Sequence, residues 1–267
     1  MKIGIVTDEL SLNLPFALGA SAALGIKRIE LRNSHMGRVP FWDDESKEML
    51  QDLIDDYEFK ITALSPGTFK CKLQNPDLDE QFKTLEKTIE FAKEFEVEKI
   101  IIFAFEQTED DGPSGYEKVL DYVGRAALLG QKNGIIIAAE NEKGGYNDSF
   151  ENILKLHNDL ASTGLKLNWD PGNYHAACGL PYKQAYEGLK NHIANVHVKD
   201  SKGQGKEHAW KALGEGEIDW QGQINDLFGD MPDVDLTIET HAWPLLENSV
   251  KNLNMLKEYI GRAKNGR

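Results

Sequence analysis

Eight short apolar runs recur along the chain, each separated from the next by about the length of one strand plus one helix. They are Lys2–Thr7, Arg28–Leu31, Lys60–Ser65, Lys99–Phe103, Ile135–Ala139, Leu165–Trp169, Ile193–Val198 and Asp235–Ile238, with starts 26 to 42 residues apart. Most lack polar alternation, as strands covered on both faces of a parallel sheet do. The intervening stretches Asp44–Tyr57, Asp77–Glu96, Ser149–Leu160 and Ser249–Ile260 place apolar residues at helical spacing, Phe82, Leu85, Ile89 and Ala92 forming one such stripe. Eight strand–helix units predict one domain, a (β/α)8 TIM barrel over residues 1–267, with Ala263–Arg267 as a loose tail. An open doubly wound sheet is the rival, but no GxGxxG follows the first strand.

Charge narrows the partners. A formal net charge of −14 repels nucleic acid and anionic membrane at long range. No run approaches the ~18 apolar residues of a membrane span, and the N-terminal apolar run is too short for a signal-peptide core. The two cysteines, Cys71 and Cys178, sit in unrelated contexts without a CxxC pattern, which fits a reducing compartment. The reading is a cytoplasmic protein with neither a nucleic-acid nor a membrane partner, and a homodimer is the default for a soluble enzyme.

In a barrel the chemistry sits at the carboxyl ends of the strands. Glu140, Asp170, His197 and Glu239 end or follow the last four apolar runs. Neighbouring strands set them around one mouth, where three carboxylates would repel one another and raise each other's pKa unless a cation intervened. Three oxygen donors and one imidazole suit Mn²⁺ or Mg²⁺, with Co²⁺ or Zn²⁺ as alternatives. Taken singly the residues have plainer readings: Asp170 before Pro171 as a turn initiator, His197 as a satisfied core histidine.

At these residues the chain resembles the xylose-isomerase-like TIM-barrel superfamily, the sugar phosphate isomerase/epimerase group related to endonuclease IV. The resemblance spans essentially the whole chain. It is carried by Glu140-Asn141, Asp170-Pro171-Gly172-Asn173, the run His197-Val198-Lys199-Asp200, Leu213 through Trp220 (LGEGEIDW) and Glu239-Thr240-His241. It implies one divalent metal held by Glu140, Asp170, His197 and Glu239. It also implies that Glu140 and Glu239 flank a sugar or polyol as acid and base, through an enediolate. Asn173 stands where the epimerases usually carry a histidine, and asparagine cannot carry a proton. The histidines of the endonucleases' three-metal cluster are missing from the third and fourth strand ends. The reading is an isomerase or epimerase of a ketose or related polyol. The alternatives are a dehydratase of an inositol-type ketone and a non-catalytic sugar-binding barrel.

Other candidates for the substrate side are Asn173, Lys199, Glu142, His175, His241 and Trp243. Lys199 shares the side of the strand of His197, either to steady a substrate oxygen or to pair with a carboxylate. Glu142 either meets a sugar hydroxyl or caps the next helix. His175 reaches inward or is solvated. His241 and Trp243 line the mouth or pack in their loop. Glu30 and Arg32 share a side of the second strand, which predicts an internal ion pair. Gly214 and Gly216 read as a tight turn, not a phosphate cradle, because no helix with Lys-Ser/Thr follows.

Overall fold

The eight apolar runs form eight parallel strands. In the computed structural model, which describes residues 1–75 and 77–266, they are β1 (Lys2–Val6), β2 (Arg28–Leu31), β3 (Lys60–Leu64), β4 (Lys99–Ile102), β5 (Ile136–Glu140), β6 (Lys166–Trp169), β7 (Ile193–Val198) and β8 (Asp235–Ile238). Each strand pairs with its neighbours in chain order, and β1 pairs with β8, so the sheet closes into a (β/α)8 barrel. Strand bounds agree with the apolar runs to within about a residue, because burial on both faces favours apolar side chains over most of that length. Two register shifts interrupt the ladder, between Ile29 and Glu30 on β2 and between Leu167 and Asn168 on β6. Both re-aim a polar side chain beside the site, a recurrent use of such irregularities.

The helices are α1 (Leu14–Ala23), α2 (Asp44–Tyr57), α3 (Leu78–Glu94), α4 (Gly115–Lys132), α5 (Phe150–Asp159), α6 (Pro171–Cys178), α7 (Lys183–Leu189), α8 (Trp220–Asp230) and α9 (Leu245–Asn265). Side chains of Asn13, Asp43, Ser149, Asp170 and Asp219 accept from the first turns of α1, α2, α5, α6 and α8, satisfying donors the helix leaves unpaired. The expected loose tail is corrected: α9 continues through Asn265 and buries Ala263, because its apolar face runs on past Ile260. Arg267 lies outside the described residues. On the mouth side, β2 leads into a small hairpin, Asn33–Ser34 with Gly37–Arg38, and β7 into another, Asp200–Lys202 with Ala209–Lys211. Among the described residues no helix is long and apolar enough to cross a membrane, and both cysteines are free.

The amino ends of the strands carry a buried ion cluster. Asp235 accepts from Arg28 Nε at 2.7 Å and from Lys99 Nζ at 2.8 Å. Burial alone would raise the Asp235 carboxyl, but Lys99 and Arg28 outweigh it and hold it below the ordinary aspartate value. A depressed carboxyl stabilises the fold above its unfolded pKa of about 3.9 and loses that contribution as pH falls through the folded value. Asp235→Asn is therefore expected to cost about 3–5 kcal/mol at neutral pH, because two cations are left without their anion. The cost should shrink as the solution is made strongly acidic. Urea unfolding of both proteins at neutral and acid pH checks this, and equal stability at neutral pH would show the cluster to be neutral in energy.

Candidate active site

The fold brings Glu140, Asp170, His197 and Glu239 together at the mouth. One donor atom from each lies within 4.8 Å of every other, and all four residues are buried. His197 Nδ1 is 3.4 Å from Glu140 Oε2, 3.2 Å from Glu239 Oε2 and 3.9 Å from Asp170 Oδ2. Its other nitrogen, Nε2, meets Glu30 at 3.0 Å across the barrel, and Glu30 in turn accepts from Ser65 Oγ at 2.6 Å. A carboxylate behind an imidazole sets the ring's orientation and leaves the opposite nitrogen for the cluster.

Each donor is braced. The two oxygens of Asp170 face different partners. Its Oδ1 caps α6 through Asn173 N at 2.8 Å, while Oδ2 turns to the cluster. Its backbone is pinned by Asn141, which accepts from Asp170 N and donates to Asp170 O, each at 2.8 Å. Glu140 accepts from Asn173 Nδ2 at 3.0 Å and from Asn168 Nδ2 at 3.2 Å. Glu239 is gripped on one oxygen by Arg32 and on the other by Lys199 Nζ at 2.7 Å. Arg32 also binds Asp8 at 3.0 Å and Glu9 at 2.7 Å.

The electrostatics follow from this crowding. Burial penalises the Glu239 carboxylate, yet Lys199, His241 and His197 hold it well below the usual glutamate range. Burial works against Glu140 too, and His197 keeps it low. Asp170 goes the other way: burial pushes it up to about 7, the charges of Glu239 and Glu140 adding to the rise and Lys199 opposing it. His197 and Lys199 are both penalised by burial but held charged, well above their ordinary values, by the surrounding carboxylates.

Lys199 is fully enclosed. Its Nζ lies 2.8 Å from Asp170 Oδ2 and 4.9 Å from the ring centre of Trp210, on the hairpin after β7. Its stem passes over Gly172, where an added Cβ would come within 2.5 Å of Lys199 Cγ, so that position admits only glycine without a shift. Asp200 organises the next loop by accepting from the backbone N–H of Gly214, Gly216 and Ile218 at 2.9, 3.2 and 3.3 Å. Trp220 Nε1 donates to Lys199 O at 3.2 Å. The GEGE loop thus encloses an anion supplied by the chain itself.

Several expectations need correction. Glu30 and Arg32 do not pair with each other: β2 ends at Leu31 and its register slips before Glu30, so the residues diverge, Glu30 to His197 and Arg32 to Asp8, Glu9 and Glu239. Trp243 is 81 % exposed, and Trp210 is the indole beside the cluster. Glu142 pairs with Lys70 at 2.7 Å. His175 bonds Ser201 Oγ at 2.6 Å and lines a groove with Tyr182, Glu217 and Asp226 that contains none of the four donors. Asn173 is buried and donates to Glu140. His241 does line the mouth, 3.0 Å from Glu9, 3.8 Å from Glu239 and edge-on to Trp210. The sequence reading missed Asn168 and Trp210 and gave Asn141 no role of its own. Asn168 was within reach, since it precedes Asp170 by two and shares its side of β6. Trp210 carried no signal, because nothing in a loop's composition tells where it folds back.

The family model described as xylose isomerase-like TIM barrel matches residues 18–259. The chain belongs to that family. No curated protein matches it by sequence. Among solved structures, this xylose isomerase-like barrel is similar to a D-tagatose 3-epimerase-like protein, with 21% identity, 100% of this chain and 99% of that one covered, and a TM-score of 0.82. It is also similar to the probable 3-DHS dehydratase AsbF of Bacillus anthracis, at 17% identity, 96% and 99% coverage and a TM-score of 0.82. A xylose isomerase-like TIM barrel protein from Mycobacterium smegmatis, solved in complex with magnesium, matches at 15% identity, 92% and 88% coverage and a TM-score of 0.76.

Proposed function

We propose that this barrel is a divalent-metal-dependent isomerase or epimerase of a ketose or related polyol, working by proton transfer at the carbon beside a carbonyl. The observation that carries the reading is the convergence of Glu140, Asp170, His197 and Glu239 in a buried cluster, each braced by a neighbour. The residues fit a divalent cation. Asp170 Oδ2 is buried and receives no well-directed hydrogen bond although Lys199 lies beside it. Three carboxylates and one imidazole nitrogen suit Mn²⁺ or Mg²⁺, with Co²⁺ and Zn²⁺ as alternatives. When bound, the ion supplies Lewis-acid polarisation of the substrate carbonyl.

The chain's own residues do the rest. Glu140 and Glu239, held ionised by His197 and by Lys199, act as the proton acceptors. One takes the proton from carbon; in an isomerase the same, now protonated, glutamate returns it at the adjacent carbon, and in an epimerase the second glutamate, having first taken up a proton from solvent, returns that proton on the opposite face. Lys199 donates to the oxygen that gains charge as the carbon loses its proton. Asn173 and Arg32 keep the two glutamates from rotating, which preserves the reacting geometry. Trp210 offers an apolar face to the carbon–hydrogen side of a polyol.

A second reading is a dehydratase, in which the same base works and water is expelled from the next carbon. It is favoured by the likeness to the B. anthracis dehydratase and by Asn173, which carries no proton. A panel of ketoses, aldoses and inosose-type ketones, incubated with Mn²⁺ in heavy water, tests both. Deuterium in a product of unchanged mass formula supports the isomerase or epimerase. Loss of water by mass spectrometry supports the dehydratase. Metal binding without turnover of any member would favour a non-catalytic sugar-binding barrel.

A further inference from the structure

Three cations at the strand ends, Arg32, Lys199 and Lys70, are already paired. Arg32 is bound by Asp8, Glu9 and Glu239, Lys199 by Asp170 and Glu239, and Lys70 by Glu142. Arg38, at the end of the hairpin that follows β2, makes no ion pair among the described residues. Among the described residues its side chain makes one hydrogen bond, from Nε to Ser65 O at 3.0 Å. Ser65 is the residue whose hydroxyl holds Glu30 behind His197, so Arg38 rests on the same strand end that braces the cluster. The guanidinium lies across Gly67, where an added Cβ would come within 2.9 Å of Arg38 Cζ and where φ is +80°. A side chain there would displace the Arg. The half-buried guanidinium is thus laid flat and anchored by Nε, with neither Nη engaged by a carboxylate.

We propose that Arg38 seats an anionic substituent of the substrate, a carboxylate or phosphate held across its two Nη groups while the ketone end faces Glu140 and Glu239. The inference rests on the ketone-processing reading above and deepens it by naming the substrate as an acidic polyol ketone. A guanidinium with Nε fixed and both Nη free is shaped for two parallel hydrogen bonds to a planar or tetrahedral oxyanion. The charges acting on it are those of the mouth: Arg32, Asp8, Glu140 and Glu239. Burial and the repulsion of Arg32 press on its charged form, a penalty that a bound anion offsets. Asp8 and the two glutamates are close enough to act on it, yet Ser65 O, not a carboxylate, holds it in place.

The test is calorimetric binding to the Mn²⁺-loaded protein of two matched pairs: a ketohexose with its 6-phosphate, and a polyhydroxylated cyclohexanone with its carboxylic acid. Wild type should bind the anionic member of one pair about 10–100-fold more tightly than the neutral one, the range expected for charge-assisted hydrogen bonds. The pair showing the gap tells phosphate from carboxylate. Arg38→Met should close that gap to within about threefold, with Mn²⁺ content and melting temperature retained, and Arg38→Lys should keep part of it, as a point charge without the fork does. The proposal falls if wild type shows no gap or binds no anionic probe at millimolar concentration. It also falls if the gap persists in Arg38→Met, or if that variant weakens both members equally. Because the readout is binding, failure of the catalytic reading is separable: it would appear as absent proton exchange with the anion preference intact.

Discussion

Glu140→Gln and Glu239→Gln should each slow carbon–hydrogen exchange and turnover by about 10²–10⁴-fold or more, the usual worth of a positioned proton acceptor. Glutamine keeps the shape and one carbonyl oxygen toward a cation, but it takes no proton. The two variants should differ in stability. Glu140 is braced by the side-chain amides of Asn173 and Asn168, which glutamine's oxygen still accepts in part. Glu239 is gripped by the charged Arg32 and Lys199, and losing its charge leaves two buried cations short of an anion. Glu239→Gln should therefore also lower the melting temperature, whereas Glu140→Gln should do so less. Exchange is measured by NMR in heavy water on the best substrate of the panel, with metal content followed in parallel. A variant that holds metal and keeps near-wild-type exchange would reduce that glutamate to a ligand and overturn the two-carboxylate mechanism.

The second large effect is metal-linked stability. At a free Mn²⁺ concentration about 100 times the dissociation constant, wild type should gain about 2.7 kcal/mol, on the order of 5–10 °C in melting temperature for a chain of this size. Asp170→Asn should remove most of that gain. The substitution separates the two jobs of Asp170: the amide oxygen still caps α6 through Asn173 N, while the anionic oxygen toward the cluster is lost. Metal-free Asp170→Asn should consequently stay folded. Thermal melts with and without Mn²⁺, together with metal analysis, check the expectation. If neither protein retains Mn²⁺, Mg²⁺, Co²⁺ or Zn²⁺ at saturating metal, or if both gain equally, the cluster is not a metal site.

The chain itself determined the barrel. Strands buried on both faces are mostly apolar along their length, so eight such runs are visible without knowledge of what covers them, and β7 and β8 agree with their runs residue for residue. Most strand ends were visible for the same reason, since most runs stop at a polar residue, while His197 lies one residue before the end of its run. That placed Glu140, Asp170, His197 and Glu239 at one rim before any distance was known. What surrounds them was decided in three dimensions. Glu30 lies 167 positions from the His197 it orients, and Arg32 lies 207 from Glu239. No local spacing connects such residues, because closure of the barrel sets β2 beside β1 and within reach of β7 across the mouth, and only then does a carboxylate choose its cation. The register slip at Glu30, the fold-back of the hairpin that carries Trp210, and the laying of Arg38 across Gly67 are likewise invisible to periodicity. Each follows from backbone meeting backbone across elements distant in sequence, where packing, not the local order of residues, selects the partner.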